Sequence, residues 1–202
     1  LVTKEGVFFD NHVEFVKHFL KGQIAMEDVR RELMAQAAKM ERTGLPLTHV
    51  DSHQHMHMLP GVIDISLDVA ASLHLDAVRI SRTPLFTAFA GMGQLIGRLG
   101  LFTLSELSLW KAKRRHFRVP DHFEGIVAGE AVHEGHFLHI LKELRPGTTE
   151  VMMHPGTDNE KLIPACDWEH DFEAEMQAIV SPKVRRMIAD KAVKVVNYRD
   201  LK

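Results

Sequence analysis

Apolar positions along this chain fall into two alternating patterns: short β-branched runs, and longer stretches with the spacing of a helix face. Asp10 or Asn11 can cap a helix that places Val13, Val16 and Leu20 on one face, with Gly22 stopping it. A second helix carries Val29, Leu33 and Met40 on one stripe, with Gly44 just beyond its end. Leu45–Asp51 then predicts a strand, Gly61–His74 a helix and Ala77–Ile80 another strand. Thr83–Arg115 is long and mixed, with helical character in its second half. Glu134–Leu144 predicts a helix, Arg145–Gly147 a turn and Thr149–Met153 a strand. The tail carries a helix or two before a final strand at Ala192–Asn197. Strands alternating with helices predict an α/β fold with mainly parallel strands.

The 202 residues suit one domain with a sizeable core, so the reading is a single unit over 1–202. Hydrophobic residues make up 45% and charged residues 26%, the proportions of an ordinary globular protein. A net charge of -2 argues against a nucleic-acid partner. The basic run KAKRRHFR at Lys111–Arg118 reads as a solvated helix end. Cys166 is the sole cysteine, which excludes an internal disulfide and favours a reducing, cytoplasmic setting. The longest apolar stretch, Leu85–Leu104, is broken by Arg98 and several glycines and falls short of a membrane span. The chain opens without a signal-peptide pattern and without an initiator methionine, as expected of a sequence that begins inside a longer protein.

Two predicted strands end in histidine-bearing loops. Sites in parallel α/β folds gather at the carboxyl ends of strands. His53, His55 and His57 alternate at spacing two, which in an extended segment aims all three imidazoles the same way. Neutral imidazole is a good ligand for zinc and related ions. Asp51 could join them as a ligand, or as the acceptor that fixes a histidine tautomer. A histidine-rich surface patch is the competing reading, since the chain holds 14 His. His154, followed by Pro155 and Gly156, sits where the backbone turns sharply, and its titration range suits a general acid. A structural turn histidine is its alternative. Arg79 and Arg82 flank a strand end and could orient a carboxylate or meet a substrate hydroxyl, but the expectation for each is a surface or structural arginine. Asp121 and His122 are open in the same way. Trp110, Trp168 and Tyr198 could stack on a sugar, but the expectation for each is the core.

Together these residues resemble the YdjC/ChbG family of carbohydrate deacetylases. THVDSHQHMHMLPG at Thr48–Gly61 resembles the family's hallmark, and EVMMHPGTDN at Glu150–Asn159 its second one. VPDHFEG at Val119–Gly125 and VVNYRDL at Val195–Leu201 are weaker matches. The resemblance implies a distorted (β/α) barrel-like fold and one divalent metal ion, zinc or magnesium. It implies hydrolysis of the N-acetyl group of an amino sugar, carried by an oligosaccharide or a glycolipid, the latter as in the hopanoid-biosynthesis branch. It makes His53 a metal ligand and His154 the acid that protonates the leaving amine or a group on the oxyanion side. Asp51, His55, His57 and Arg79 fall to supporting or substrate-binding places. The barrel is expected to bring His53, Arg79 and His154 to one cleft.

The family's paired-aspartate motif and its first metal histidine have no counterpart here. The expected fold therefore lacks its first strands, and the 202 residues alone are expected to hydrolyse N-acetylated sugars poorly. A sheet edge left open could be covered by a second copy, forming a homodimer. Two other readings stay open: a metal-dependent hydrolase of another kind, amidohydrolase- or phosphoesterase-like, which His53 and His55 would also serve, and an inactive truncated α/β module.

Overall fold

The computed structural model describes residues 1–3, 6–82, 92–126, 131–166 and 168–201, with the side chains of 92–98 left aside. It is mixed α/β, mostly helical, and its sheet pairing is parallel. The chain divides into two compact units. The first comprises Leu1–Ser81, Gly100–Val119 and Tyr198–Lys202; the second comprises Arg82–Leu99 and Pro120–Asn197.

In the first unit, α1 (His12–Leu20) begins as the sequence predicts: the Asn11 side chain accepts the Glu14 N–H at 3.0 Å. α2 (Met26–Glu41) and α3 (Val62–Ser72) pack together. Val29 and Ala37 of α2 meet Val62, Ile65 and Val69 of α3 in one apolar cluster. The opposite face of α3 contributes Ile63, Leu67 and Ala70 to a second cluster, with Met58, Val78, Ile80, Ala112 and Phe117. An apolar helix buried on both faces needs such partners on each side. Ala112 lies on α4 (Met92–Arg114), the helix expected in the second half of Thr83–Arg115; residues 83–91 lie outside the described residues.

Leu45–Asp51 and Ala77–Ile80 do not form full strands. Val50 bridges Val78 and Ala77 bridges Arg118, each as a single parallel pair. The Val50 N–H donates to the Ala77 carbonyl at 3.3 Å, and the Arg79 N–H returns to Val50 at 3.0 Å. Each stretch is locally strand-like, but with each neighbour its pairing stops after one bridge. Ala192–Asn197 is likewise no strand. Val195 is 76% exposed, and β-branched residues extend a sheet only where a ladder and a packing surface receive them.

In the second unit, β1 (His122–Glu124) pairs in parallel with β2 (Thr149–Val151), Phe123 opposite Glu150. β2 is the shortened form of the predicted Thr149–Met153. α5 (Glu134–Lys142) packs on α7 (Phe172–Val180) and α8 (Pro182–Asp190), with α6 (Asn159–Cys166) against α7. Ser181 caps α8, and its hydroxyl donates to Glu134 at 2.6 Å. No helix among the described residues is long and apolar enough to cross a membrane.

Candidate functional site

The histidine run does not continue as an extended strand. His53–Met58 is a 3₁₀ segment in which Gln54 and His55 take left-handed backbone angles, φ 51° and 58°. The period-two expectation therefore fails, and the three imidazoles have separate fates. The reason is local. Ser52 folds back on the segment, its Oγ accepting the His57 N–H at 2.8 Å and reaching His57 Nδ1 at 2.7 Å.

His57 is 2% exposed. Its Nε2 lies 2.7 Å from the Arg79 carbonyl, which can only accept, so Nε2 carries the proton and Nδ1 accepts from the Ser52 hydroxyl. Burial holds this imidazole below the usual histidine range, against the opposing pull of the Arg79 carbonyl and the Asp51 charge. Both ring nitrogens are thus committed to holding the Val50–Ser52 turn against the Arg79 stretch. His55 Nδ1 meets the Ser81 hydroxyl at 2.8 Å. Asp51 is ion-paired with the Arg79 guanidinium. Arg79 therefore serves twice, through its carbonyl to His57 and through its guanidinium to Asp51. His53 differs: it is exposed, and among the described residues its ring makes no hydrogen bond, only an edge-on contact with His12 at 6.1 Å. Of the sequence-predicted set in this unit, His53 alone presents an uncommitted imidazole to a metal. The donor chemistry here fits one histidine ligand, with Asp51, His55, His57 and Arg79 shaping the turn that carries it.

His154 lies in the second unit, just after β2, in a loop that Gly156 makes possible. A Cβ on Gly156 would come 2.3 Å from Leu162 Cδ1 and 2.9 Å from Phe172 Cβ. That close approach explains the glycine of the His-Pro-Gly turn. The His154 N–H donates to Glu175 Oε2, while Glu175 Oε1 accepts the Val132 N–H at 2.9 Å. Glu175 is 1% exposed, and His170, also buried, brings Nε2 to 3.2 Å from Oε1. Trp168 stacks on His170 at 4.0 Å and meets His154 edge-on at 4.9 Å. His154, His170 and Glu175 each offer a ligand atom, all within 4.8 Å of one another.

Neither His170 nor Glu175 was singled out by the sequence. One signal was present: Phe172, Glu175 and Ala178 recur at spacing three on α7 and all are buried, which sets a carboxylate on a core-facing stripe. The aromatic expectation needs correcting. Trp110 is 53% and Trp168 41% exposed, so neither is a core residue. The Trp110 indole is instead covered on one face by the Arg114 guanidinium at 4.8 Å. Tyr198 is half-buried, with its ring stacked on His49 at 3.6 Å. Asp121 and His122 are structural. Asp121 accepts the Thr148 N–H at 2.8 Å, and His122 Nε2 donates to the Pro146 carbonyl at 3.0 Å, fixing the turn before β2.

The chain is 28% identical over 226 residues to a carbohydrate deacetylase of Mus musculus, covering 100% of this chain and 70% of that protein. It is 27% identical over 177 residues to a carbohydrate deacetylase of Thermoanaerobacter pseudethanolicus, covering 88% of this chain and 61% of the relative. It is 25% identical over 183 residues to a chitooligosaccharide deacetylase of Yersinia enterocolitica, covering 89% and 63%. The chain thus spans between 61% and 70% of these relatives' lengths. The family model described as YdjC-like protein matches residues 1–190, and the chain belongs to that family.

Proposed function

We propose that this chain takes part in the metal-dependent hydrolysis of an N-acetyl group from an amino sugar. The observation that carries the proposal is membership of the YdjC-like family over residues 1–190, with relatives named carbohydrate and chitooligosaccharide deacetylases. In the reaction, water adds to the acetyl carbonyl, the C–N bond breaks, and acetate and a free amine leave. A divalent ion, zinc or magnesium, supplies positive charge for the carbonyl oxygen. His53 offers that ion an imidazole that no hydrogen bond among the described residues competes for. The Ser52–His57–Arg79 interlock keeps the His53 turn in one conformation, and Asp51 tethers the Arg79 guanidinium beside it. His154 protonates the amine nitrogen as the C–N bond opens, a role that asks for a held but accessible imidazole. Its backbone is fixed by Glu175, and the residue is half-buried. The substrate is an N-acetylated sugar, with a chitooligosaccharide as the first choice.

The test is acetate release from N-acetylglucosamine oligomers, before and after chelation and with zinc or magnesium restored. It is run on the 202 residues and on any longer form of the protein. Metal-restored activity that His53→Ala abolishes supports the reading. Acetate release that survives both chelation and His53→Ala would sink it.

A further inference from the structure

We propose that His154, His170 and Glu175 form a second metal site, one that takes a zinc-class divalent ion. It is separate from the ion assigned above to His53 and does not depend on the deacetylase reading. Two independent observations support it. The first is the convergence of three ligand atoms within 4.8 Å, two of them on buried residues. The second is His170 Nε2 itself, which is fully buried and has no hydrogen-bond partner among the described residues. It lies 3.2 Å from Glu175 Oε1 but is not aligned with it for a hydrogen bond. Two ligands of a tetrahedral ion bound at about 2.0–2.2 Å stand roughly 3.3–3.5 Å apart. The pair already stands close to the separation that a shared ion requires, and a buried polar atom without a partner is otherwise costly.

The surroundings hold the ligands in place. The Val132 and His154 N–H groups orient the Glu175 carboxylate and leave each oxygen a further lone pair. Trp168 packs on the His170 ring, and Phe172 meets that ring edge-on at 4.9 Å. Two imidazoles and one carboxylate match zinc, whereas calcium and magnesium prefer all-oxygen cages. A three-ligand set leaves a fourth position for water, next to half-exposed His154. One consequence does rest on the proposed deacetylation: an ion held here takes the His154 imidazole, so excess zinc inhibits.

The experiment measures metal rather than turnover. The 202-residue chain is stripped with chelator and titrated with zinc against a chromogenic competitor, and with cobalt(II), whose visible absorption reports four-coordinate geometry. The variants are His170→Phe, which keeps an aromatic ring stacked on Trp168, His154→Ala at a less buried position, and His53→Ala. Circular dichroism checks the fold of each. The expected result is a tight zinc equivalent with a four-coordinate cobalt spectrum. It is weakened at least about 100-fold, the upper loss seen when even an outer partner of a ligand is removed, by His170→Phe and by His154→Ala. His53→Ala leaves it intact. Absence of that equivalent overturns the proposal, as does zinc binding that folded His170→Phe and His154→Ala leave unchanged, or binding that only His53→Ala removes. Failure here leaves the acetate-release test untouched, and failure there leaves this one standing.

Discussion

His57 has both nitrogens engaged in a buried setting, so the folded protein requires it neutral. Its folded-state value lies below the ordinary 6.5, with Asp51 and the Arg79 carbonyl opposing burial and the Arg79 and His49 charges assisting it. The unfolded chain therefore binds the proton first as pH falls. The stability contributed by neutral His57 is fully present above about 6.5 and is lost progressively below it, until the folded-state imidazole also titrates. Urea unfolding from pH 7.5 down to 5 should show this loss, with a slope of up to about 1.4 kcal/mol per pH unit for one proton. His57→Leu should be less stable at neutral pH and should remove that portion of the slope; an unchanged slope would refute the assignment. At His154 the expectation is kinetic. His154→Gln should lower acetate release by about 10²–10⁴-fold through kcat, with KM little changed. A loss confined to KM would make the residue a substrate contact instead.

The elements show what the sequence could and could not reveal. The Asn11 cap and the α2, α3 and α5 helices were legible, because caps and helical spacing act within a few residues, although Met40 of the expected α2 stripe is 44% exposed and Ala37 takes the buried place. The strands were overestimated, because a strand exists only through its ladder. Leu45–Asp51 finds one bridge and Ala77–Ile80 two isolated ones, and Ala192–Asn197 forms no strand. The SHQHMH run was legible as a special place but not as a shape, since the left-handed turn at Gln54 and His55 depends on Ser52 folding back. Glu175 was hidden because a charged residue on a helix is ordinarily solvated, and its two backbone donors lie 21 and 43 positions away. The glycine ending VPDHFEG gives an element-scale prediction. Gly125 has φ +98°, and a Cβ there would lie 2.2 Å from the Met152 carbonyl oxygen. Gly125→Ala should destabilise by roughly 1–3 kcal/mol from backbone strain alone, with more from the clash. A thermal midpoint within a degree of the parent would contradict that.

At the scale of the whole molecule, each unit has its own buried apolar residues, Ile63 and Leu67 among those of the first, Phe123 and Val184 among those of the second, and its own tryptophan: Trp110 in the first and Trp168 in the second. With Trp168→Phe as background, Trp110 emission follows the first unit alone. Leu67→Ala, at a position 0% exposed, should cost that unit about 2–5 kcal/mol, read as a lower urea midpoint of the Trp110 signal. A midpoint unmoved by this cavity would show that α3 does not anchor the unit. The family was legible from two short loops, while the division into units was not, because it depends on which distant segments meet. The Arg118 guanidinium is bound by Asp76 and by the carbonyls of Arg199 and Leu201, and Leu201 is buried. The tail thus returns to the unit that holds the first residues. On the ribosome this sets an order of events: Pro120–Asn197, one uninterrupted stretch, emerges whole, while Arg118 waits for partners made some eighty residues later. A nascent chain stalled before Tyr198 would hold that guanidinium on Asp76 alone, with the seat of Leu201 open to water and to chaperones.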